Sequence, residues 1–108
     1  MPMARYMIEV SYTREGIQGI MKEGGSSRAD MVGKMLADLG GSLESFYFAF
    51  GENDVVVIAD LPDNATAAAI GIAVSASGAA ATKTTVLLTP AEIDVASHKS
   101  VSYRPPGS

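Results

Sequence analysis

The sequence contains no cysteine and one histidine among its 108 residues. The absence of cysteine excludes disulfides, thiolate metal ligands and a cysteine nucleophile, and it fits a reducing cytoplasm. The single histidine, His98, is not accompanied by Asp and Glu residues at the spacing of a metal site. We therefore predict no metal and no cofactor, and we expect His98 to lie on the surface near a helix C-terminus.

Positive charge is also scarce. Lys and Arg number 8 against 12 Asp and Glu, which gives a net charge of −4, and the cations are scattered. Without a basic run, binding to a nucleic-acid backbone is not expected. No basic flank precedes an apolar run at the N-terminus, and the most apolar helical segment, residues 65–76, is too short for a membrane span. The sequence thus predicts a soluble, cytoplasmic protein with neither nucleic acid nor membrane as a partner.

The composition is that of a globular domain, with 47% hydrophobic and 19% charged residues. A chain of this length supports a single hydrophobic core. We predict one domain over residues 1–98. The tail, residues 99–108, has two prolines and no periodicity. We expect it to be mobile or to pack on a neighbouring protomer.

Alternating and helical patterns predict four strands and four helices. The predicted strands are residues 5–12, 43–50, 55–59 and 82–88. The first predicted helix is short, capped by Thr13 and ended by Gly24-Gly25, and the second is longer, capped by Ser26-Ser27 and ended by Gly40-Gly41. The third covers residues 64–77 and is capped by Asp63. The fourth is short and runs from Thr89-Pro90 to about His98.

A tight polar turn, residues 51–54, joins two of these strands and forces them into an antiparallel hairpin. The resulting β-α-β-β-α-β order predicts an α+β fold, in which a four-stranded antiparallel sheet of order 4-1-3-2 has helices on one face and a short C-terminal helix follows. The run 55–58 is apolar at every position, so both of its faces should be covered. The domain's own helices can cover only one face.

The uncovered face would then carry an apolar patch that is large for a monomer. Its members would include Met7 or the alternate set of that strand, Val55 or Val56, and part of Tyr47 or Phe48. Such a patch is best hidden by a second sheet. We therefore predict a homodimer or higher oligomer that forms through the open sheet face.

Several short segments form a recognisable set along the chain. They are Arg28 at the head of the long helix, Leu39-Gly40-Gly41, Ser45-Phe46-Tyr47, Phe50-Gly51-Glu52-Asn53-Asp54-Val55-Val56-Val57-Ile58, Leu61-Pro62-Asp63-Asn64 and Ser77-Gly78. In this order they resemble the GYD family, small bacterial proteins of the dimeric α/β-barrel superfamily. The resemblance spans residues 6–93, and it implies a ferredoxin-like fold without an established activity.

One position departs from that family's pattern. The family is named for Gly-Tyr-Asp at the hairpin, whereas Asn53 stands here at the tyrosine position between Gly51 and Asp54. A role that belongs to the tyrosine ring therefore does not transfer. The turn can be a functional feature that includes Asp54. It can equally be turn chemistry, with glycine and asparagine at positive φ and Asp54 capping local amides.

Arg28 is the first candidate for a ligand-binding residue. A glycine-rich loop, two hydroxyls and a helix N-terminus next to it all favour an anion, although no phosphate-loop motif is present. The alternative is an ordinary helix start in which Arg28 pairs with a carboxylate such as Asp54 or Asp60.

The strands supply Glu9, Tyr47 and Lys83 as further candidates. These side chains would face a ligand if the open face lined a cavity between protomers. Glu9 and Lys83 lie on neighbouring strands, so a structural ion pair is the alternative.

Two functions stay open. The first is an oligomeric protein that binds a small molecule or serves as a structural assembly domain. The second is a cofactor-free or haem-using oxygenase or isomerase of the superfamily, with Tyr47, Glu9 and Arg28 as the polar lining of its cavity. The sequence carries no catalytic motif, which favours the first.

Overall fold

The computed structural model describes residues 3–49 and 51–108 and contains eight elements in two layers. They are β1 (Ala4–Tyr12), α1 (Arg14–Glu23), α2 (Gly25–Asp38), β2 (Ser42–Phe48), β3 (Val55–Leu61), α3 (Asn64–Ala76), β4 (Ala80–Leu87) and α4 (Pro90–Ser97). Residue 50, the predicted end of the second strand and part of the family resemblance, lies outside the described residues. So do residues 1 and 2 of the predicted domain.

The four strands form one antiparallel sheet in the order β2-β3-β1-β4. This is the predicted order 4-1-3-2 read from the opposite edge, so the predicted sheet topology is confirmed. The two apolar strands β1 and β3 lie at the centre. A register shift between Leu43 and Ser45 leaves Glu44 without a partner in β3.

One face of the sheet, the helix face, carries the hydrophobic core. Tyr6 and Ile8 of β1 lie opposite Ala59 and Val57 of β3, and all four are buried. Leu36 of α2 and two residues of α3, Ala67 and Ile70, close the core from above. The hydroxyl of the fully buried Tyr6 donates a 2.6 Å hydrogen bond to Asn64.

The opposite face, the open face, is covered by no helix in the described part of the chain. It is formed by the alternate residues of each strand: Arg5, Met7, Glu9 and Ser11 of β1, Val56, Ile58 and Asp60 of β3, Ala81, Lys83, Thr85 and Leu87 of β4, and Ser45 and Tyr47 of β2. Of the alternatives that the sequence left open, the structure selects Met7, Val56 and Tyr47. Val55, by contrast, is buried on the helix face.

Three of the four helices begin at the predicted caps. Thr13, Asp63 and Thr89 each accept a hydrogen bond from a backbone N–H in the first turn, and Thr89 forms a full capping box with Glu92. The hydrogen bonds from the hydroxyl and the amide of Thr66 lower the pKa of the Asp63 carboxyl.

The predicted cap of the long helix is wrong. Helix α2 begins at Gly25, before Ser26-Ser27, and has no side-chain cap. Gly24 has a φ of 85°, and its N–H donates to Ile20 at the end of α1, so one residue closes α1 and opens α2. Gly25 lies so close to Phe48 that an added Cβ would be 2.9 Å from the ring. The two glycines thus hold the start of α2 against the sheet.

The C-terminal arm, which we define as residues 88–108, lies away from the domain. Every residue of the arm is exposed, including Val101 and Tyr103, which are 79% and 71% exposed. Within the described chain, the hydrogen bonds of the arm side chains stay inside the arm. The arm contributes to a molecule that measures 56 × 35 × 24 Å. His98 caps the C-terminus of α4 on the surface, as predicted.

Among the helices of the described residues, none combines the length and the apolar character that crossing a membrane requires.

Candidate functional site

An apolar cavity of about 70 Å³ lies between the helix face of the sheet and helices α2 and α3. A single water needs about 10–15 Å³ of such space and a cavity that binds benzene measures about 150 Å³, so this cavity has room for a few waters or a small aliphatic group. Its walls come from β1, β2, β3, β4, α2 and α3. The lining residues are Ile8, Val10, Tyr12, Arg28, Met31, Val32, Met35, Leu36, Phe46, Val55, Val57, Ile70, Val74, Ala80 and Thr82.

The cavity opens beside the first half of α2. Met31 is the most exposed of the lining residues, at 38%. Arg28 precedes it by three positions and therefore lies on the same side of the helix, one turn nearer to the N-terminus. Because α2 starts at Gly25, Arg28 lies in its first turn, and the positive end of the helix dipole adds to the charge at the mouth.

The guanidinium of Arg28 has few hydrogen-bond partners in the described protein. Its Nε is buried and has no hydrogen-bond partner. Its Nη1 lies 3.7 Å from Glu23, and the two side chains are 31% and 40% exposed. A pair at that distance and exposure contributes little. The two carboxylates named as examples, Asp54 and Asp60, are engaged elsewhere, but Arg28 does pair with a nearby carboxylate, that of Glu23.

Asp54 belongs to the hairpin and not to the cavity. Its carboxylate accepts a 2.8 Å hydrogen bond from the backbone N–H of Tyr12, and its own N–H donates to Val10. These bonds fasten the β2–β3 loop to the end of β1. The predicted positive φ is absent at Asn53, because only glycines have positive φ among the described residues. The cap that Asp54 provides reaches another strand rather than its own turn.

Asn53, which stands at the family's tyrosine position, forms hydrogen bonds with β1. Its Nδ2 donates a 2.7 Å hydrogen bond to the carboxylate of Glu9, and its Oδ1 accepts one of 3.2 Å from Ser11. The amide thus uses both of its ends to hold the hairpin loop against the open-face side of β1. The sequence reasoning missed this contact, because the register between the loop and β1 is not visible in either segment alone.

The remaining candidates lie on the open face and not at the cavity. Glu9 and Lys83 are cross-strand partners in the register, as predicted, but no ion pair joins them in the described structure. Glu9 is held by Asn53 instead. Tyr47 is 69% exposed at the β2 edge. The structure therefore brings Glu9, Tyr47 and Lys83 to one face and separates them from Arg28 by the thickness of the sheet.

One end of the open face carries an ion pair. Arg5 donates from Nε and Nη2 to the two carboxylate oxygens of Asp60, at 2.9 and 3.1 Å, and lies 3.5 Å from Glu44. These bonds lower the pKa of Asp60 and raise the pKa of Arg5. A carboxyl group with a lowered pKa stabilises the fold when the pH is above its unfolded-state pKa. This stabilisation is lost as the pH falls through the folded-state pKa. Because Arg5 is exposed, that contribution is small.

Polar chemistry inside the cavity is limited. Arg28, Tyr12 and Thr82 are the polar members of the lining, and no carboxylate or imidazole is among them in the described residues. Over residues 3–49 and 51–108, no group of three or more His, Cys, Asp or Glu could hold a metal ion. Thr82 was not identified as a site residue from the sequence. Tyr12 has an even number in β1 and therefore shares the face of Tyr6, which the structure turns toward the helices.

Comparison with models of protein families identifies the family of the chain. A family model described as the GYD domain matches residues 6–96, most of the chain. Neither a curated protein nor a solved structure matches it.

Proposed function

This chain belongs to the GYD domain family, and on that premise we propose that it is an oligomeric protein that binds a small molecule. The observation that carries the proposal is the apolar cavity with a charged group at its mouth. Ligand sites are typically apolar concavities of about 300–1,000 Å³ with a few convergent polar groups. The cavity beside Arg28 has that composition at a smaller volume, about 70 Å³.

A cavity that stays empty lowers the stability of the fold. Unfilled core volume costs roughly 24 cal/mol per Å³, so an empty cavity of about 70 Å³ would cost on the order of 2 kcal/mol. That is a sizeable part of the about 5–15 kcal/mol by which domains are stable. A bound apolar group would recover this contact energy.

An oxygenase or isomerase is the alternative, and the cavity supports it less. Proton transfer needs an acid or base within hydrogen-bond reach of the substrate. The described lining residues include no carboxylate and no imidazole, and Glu9 lies on the other face of the sheet. The cavity is therefore better suited to holding a molecule than to transforming it.

We further propose that the open face pairs with the open face of a second copy. Val56, Ile58 and Met7 form an apolar centre on a face that no helix covers in the described chain. The ion pair of Arg5 and Asp60 lies toward one end of that face. An apolar centre with polar groups around it is the usual composition of a protein interface.

The proposal for the cavity predicts that a larger side chain in its wall will exclude the ligand. Val74 of α3 lines the cavity, so Val74→Phe would place a ring in it. Ile72 on the same helix is 71% exposed and lies outside the lining, which makes Ile72→Phe the matched control. Native mass spectrometry of gently purified protein should show extra mass on the wild type and on the control and none on Val74→Phe. Bare chains in all three, or equal extra mass on Val74→Phe, would contradict the proposal.

We propose that the C-terminal arm packs on the second copy. Its apolar side chains Val101 and Tyr103 are exposed in their own chain, and the arm leaves the sheet directly after β4, beside β1. Trypsin can test this at Lys99–Ser100, because the other basic residue of the arm, Arg104, precedes a proline. Cleavage after Lys99 should slow by about tenfold or more as the protein associates, since a docked segment must open before it is cut. A rate that is independent of protein concentration would show that the arm stays free.

A further inference from the structure

A second concave surface lies on the helix face of the sheet, between helix α3 and the edge strand β4. We call it the α3–β4 groove. It has a volume of about 230 Å³, and its walls include Ala68 and Gly71 of α3 and Thr84 and Val86 of β4. Val86 is 51% exposed, although its register partner Tyr6 is fully buried. The helices of the described chain thus leave apolar surface uncovered at this edge of the core.

The groove carries no charge. Helix α3 contains no Asp, Glu, Lys or Arg, and the groove residues of β4 are a threonine and a valine. The hydroxyl of Tyr6 donates to Oδ1 of Asn64, and no hydrogen bond among the described residues uses the amide N–H groups of Asn64. Such a surface suits an apolar or aromatic side chain that carries at most a hydroxyl group.

The C-terminal arm carries an aromatic side chain of this kind. Val101 and Tyr103 alternate with two serines, so in an extended segment both lie on the same side. Both are exposed in their own chain. A cavity of about 150 Å³ holds benzene, so a groove of about 230 Å³ has room for the ring of Tyr103.

The arm is long enough to reach a second copy. The Cα radius of gyration is 17.0 Å, whereas a compact domain of about 100 residues has about 13 Å, because the arm projects from the domain. Helix α4 and residues 98–103, if extended, can span about 30 Å. Two packed sheets lie about 10 Å apart, and β4 is an edge strand. The arm of a copy on the open face can therefore pass around that edge to the groove.

We propose that Tyr103 of one copy docks in the α3–β4 groove of a second copy. This inference rests on the proposed association through the open face, and it assigns the residue and the surface by which the arm packs. The ring covers Ala68 and Val86, and the tyrosine hydroxyl accepts a hydrogen bond from the amide of Asn64. An aromatic side chain seated in a pocket is a common centre of binding energy. In a two-fold dimer the docking occurs twice, once for each arm.

The test uses the absence of tryptophan from the chain. Tyr103→Trp introduces a fluorophore that reports on this position alone. Its emission should be that of an exposed indole in dilute protein, and it should shift to shorter wavelength at the concentrations at which sedimentation velocity shows association. In Tyr103→Trp/Ala68→Glu that shift should disappear, because the docked ring would bury an unpaired carboxylate. Ala69→Glu, at the next exposed position of α3 and outside the groove, is the matched control and should keep the shift.

The native tyrosine is tested in the same series. Tyr103→Ala should weaken association by at least about tenfold, as the loss of an aromatic contact residue does. Because Tyr103 is exposed in a single chain, the melting temperature of dilute protein should stay unchanged. Both glutamate substitutions lie at exposed helical positions, where glutamate is well tolerated, so circular dichroism should show the same fold. Association of wild-type strength in Tyr103→Ala would overturn the inference.

The remaining outcomes separate the docking from the association. A shift that persists in Ala68→Glu, or an exposed indole in associated protein, would overturn the groove as the docking site and leave association through the open face intact. A shift already present in single chains would show that the arm folds back on its own domain, which would overturn docking between copies. Single chains at every concentration would reject the association itself.

Discussion

Replacing Val56 with lysine is expected to turn the protein into a folded monomer. Val56 lies on the open face in the central strand β3, where its register partners are Glu9 on β1 and Tyr47 on β2. In a single chain, the introduced ammonium group would stand beside the carboxylate of Glu9, and the change of strand propensity costs about 1 kcal/mol at most. The fold should therefore survive the substitution.

Association should not survive it. Burying a valine side chain contributes about 1.5–3 kcal/mol, and a two-fold interface uses each position twice. Two opposed lysines add repulsion. Because every 1.4 kcal/mol of binding free energy changes the affinity tenfold, the dissociation constant should rise by at least about 100-fold. Sedimentation velocity over a concentration series measures this, with circular dichroism as the check of the fold. Unchanged association of Val56→Lys would mean that the open face is not the interface.

Replacing the neighbouring Val57 with lysine is expected to abolish the fold. Val57 is 4% exposed on the helix face and lies opposite Ile8 and Phe46 in the register. A lysine there must lose its charge or bury it unpaired, and it exceeds the volume of the site. Such substitutions cost about 4–5 kcal/mol or more, a large part of the stability of a small domain.

Thermal unfolding followed by circular dichroism measures that effect. We expect Val57→Lys to lack a cooperative transition, whereas Val56→Lys melts cooperatively. The two variants place the same side chain on adjacent residues of one strand, so the comparison isolates the two faces. A melting temperature of Val57→Lys within a few degrees of the wild type would contradict the described core.

The sheet could be predicted because its signals are local. The parity of Tyr6 and Ile8 indicates one covered face of β1, and the tight turn before Val55 forces the antiparallel hairpin. Caps such as Thr89 are equally local, because the capping residue and Glu92 are three positions apart. These features depend on neighbouring residues and follow from backbone chemistry.

The cavity could not be predicted, because it results from packing between distant segments. Sequence reasoning identified Arg28 as an anion-binding candidate from its helix position, but its buried unpaired Nε depends on how α2 lies over the sheet. The start of α2 at Gly25, next to Phe48, is set by a contact between residues 23 positions apart in the sequence. Likewise, the bond from Asn53 to Glu9 requires the register of the hairpin loop against β1.

The two faces of the sheet have different roles in the proposed function. One side of the sheet holds the core and a cavity whose mouth carries Arg28, and the other presents the apolar residues Met7, Val56 and Ile58. In the proposed assembly, the second copy covers the open face and the arm extends across the junction. The binding site is then complete within each chain, so binding and association can be measured independently.

The central claim is that a second copy of the chain covers the open face of the sheet. Size-exclusion chromatography with light scattering, applied to the wild-type protein at micromolar concentration, tests it most directly. We predict a molar mass of at least twice the 11.2 kDa of one chain. A mass equal to one chain across the micromolar range would contradict it.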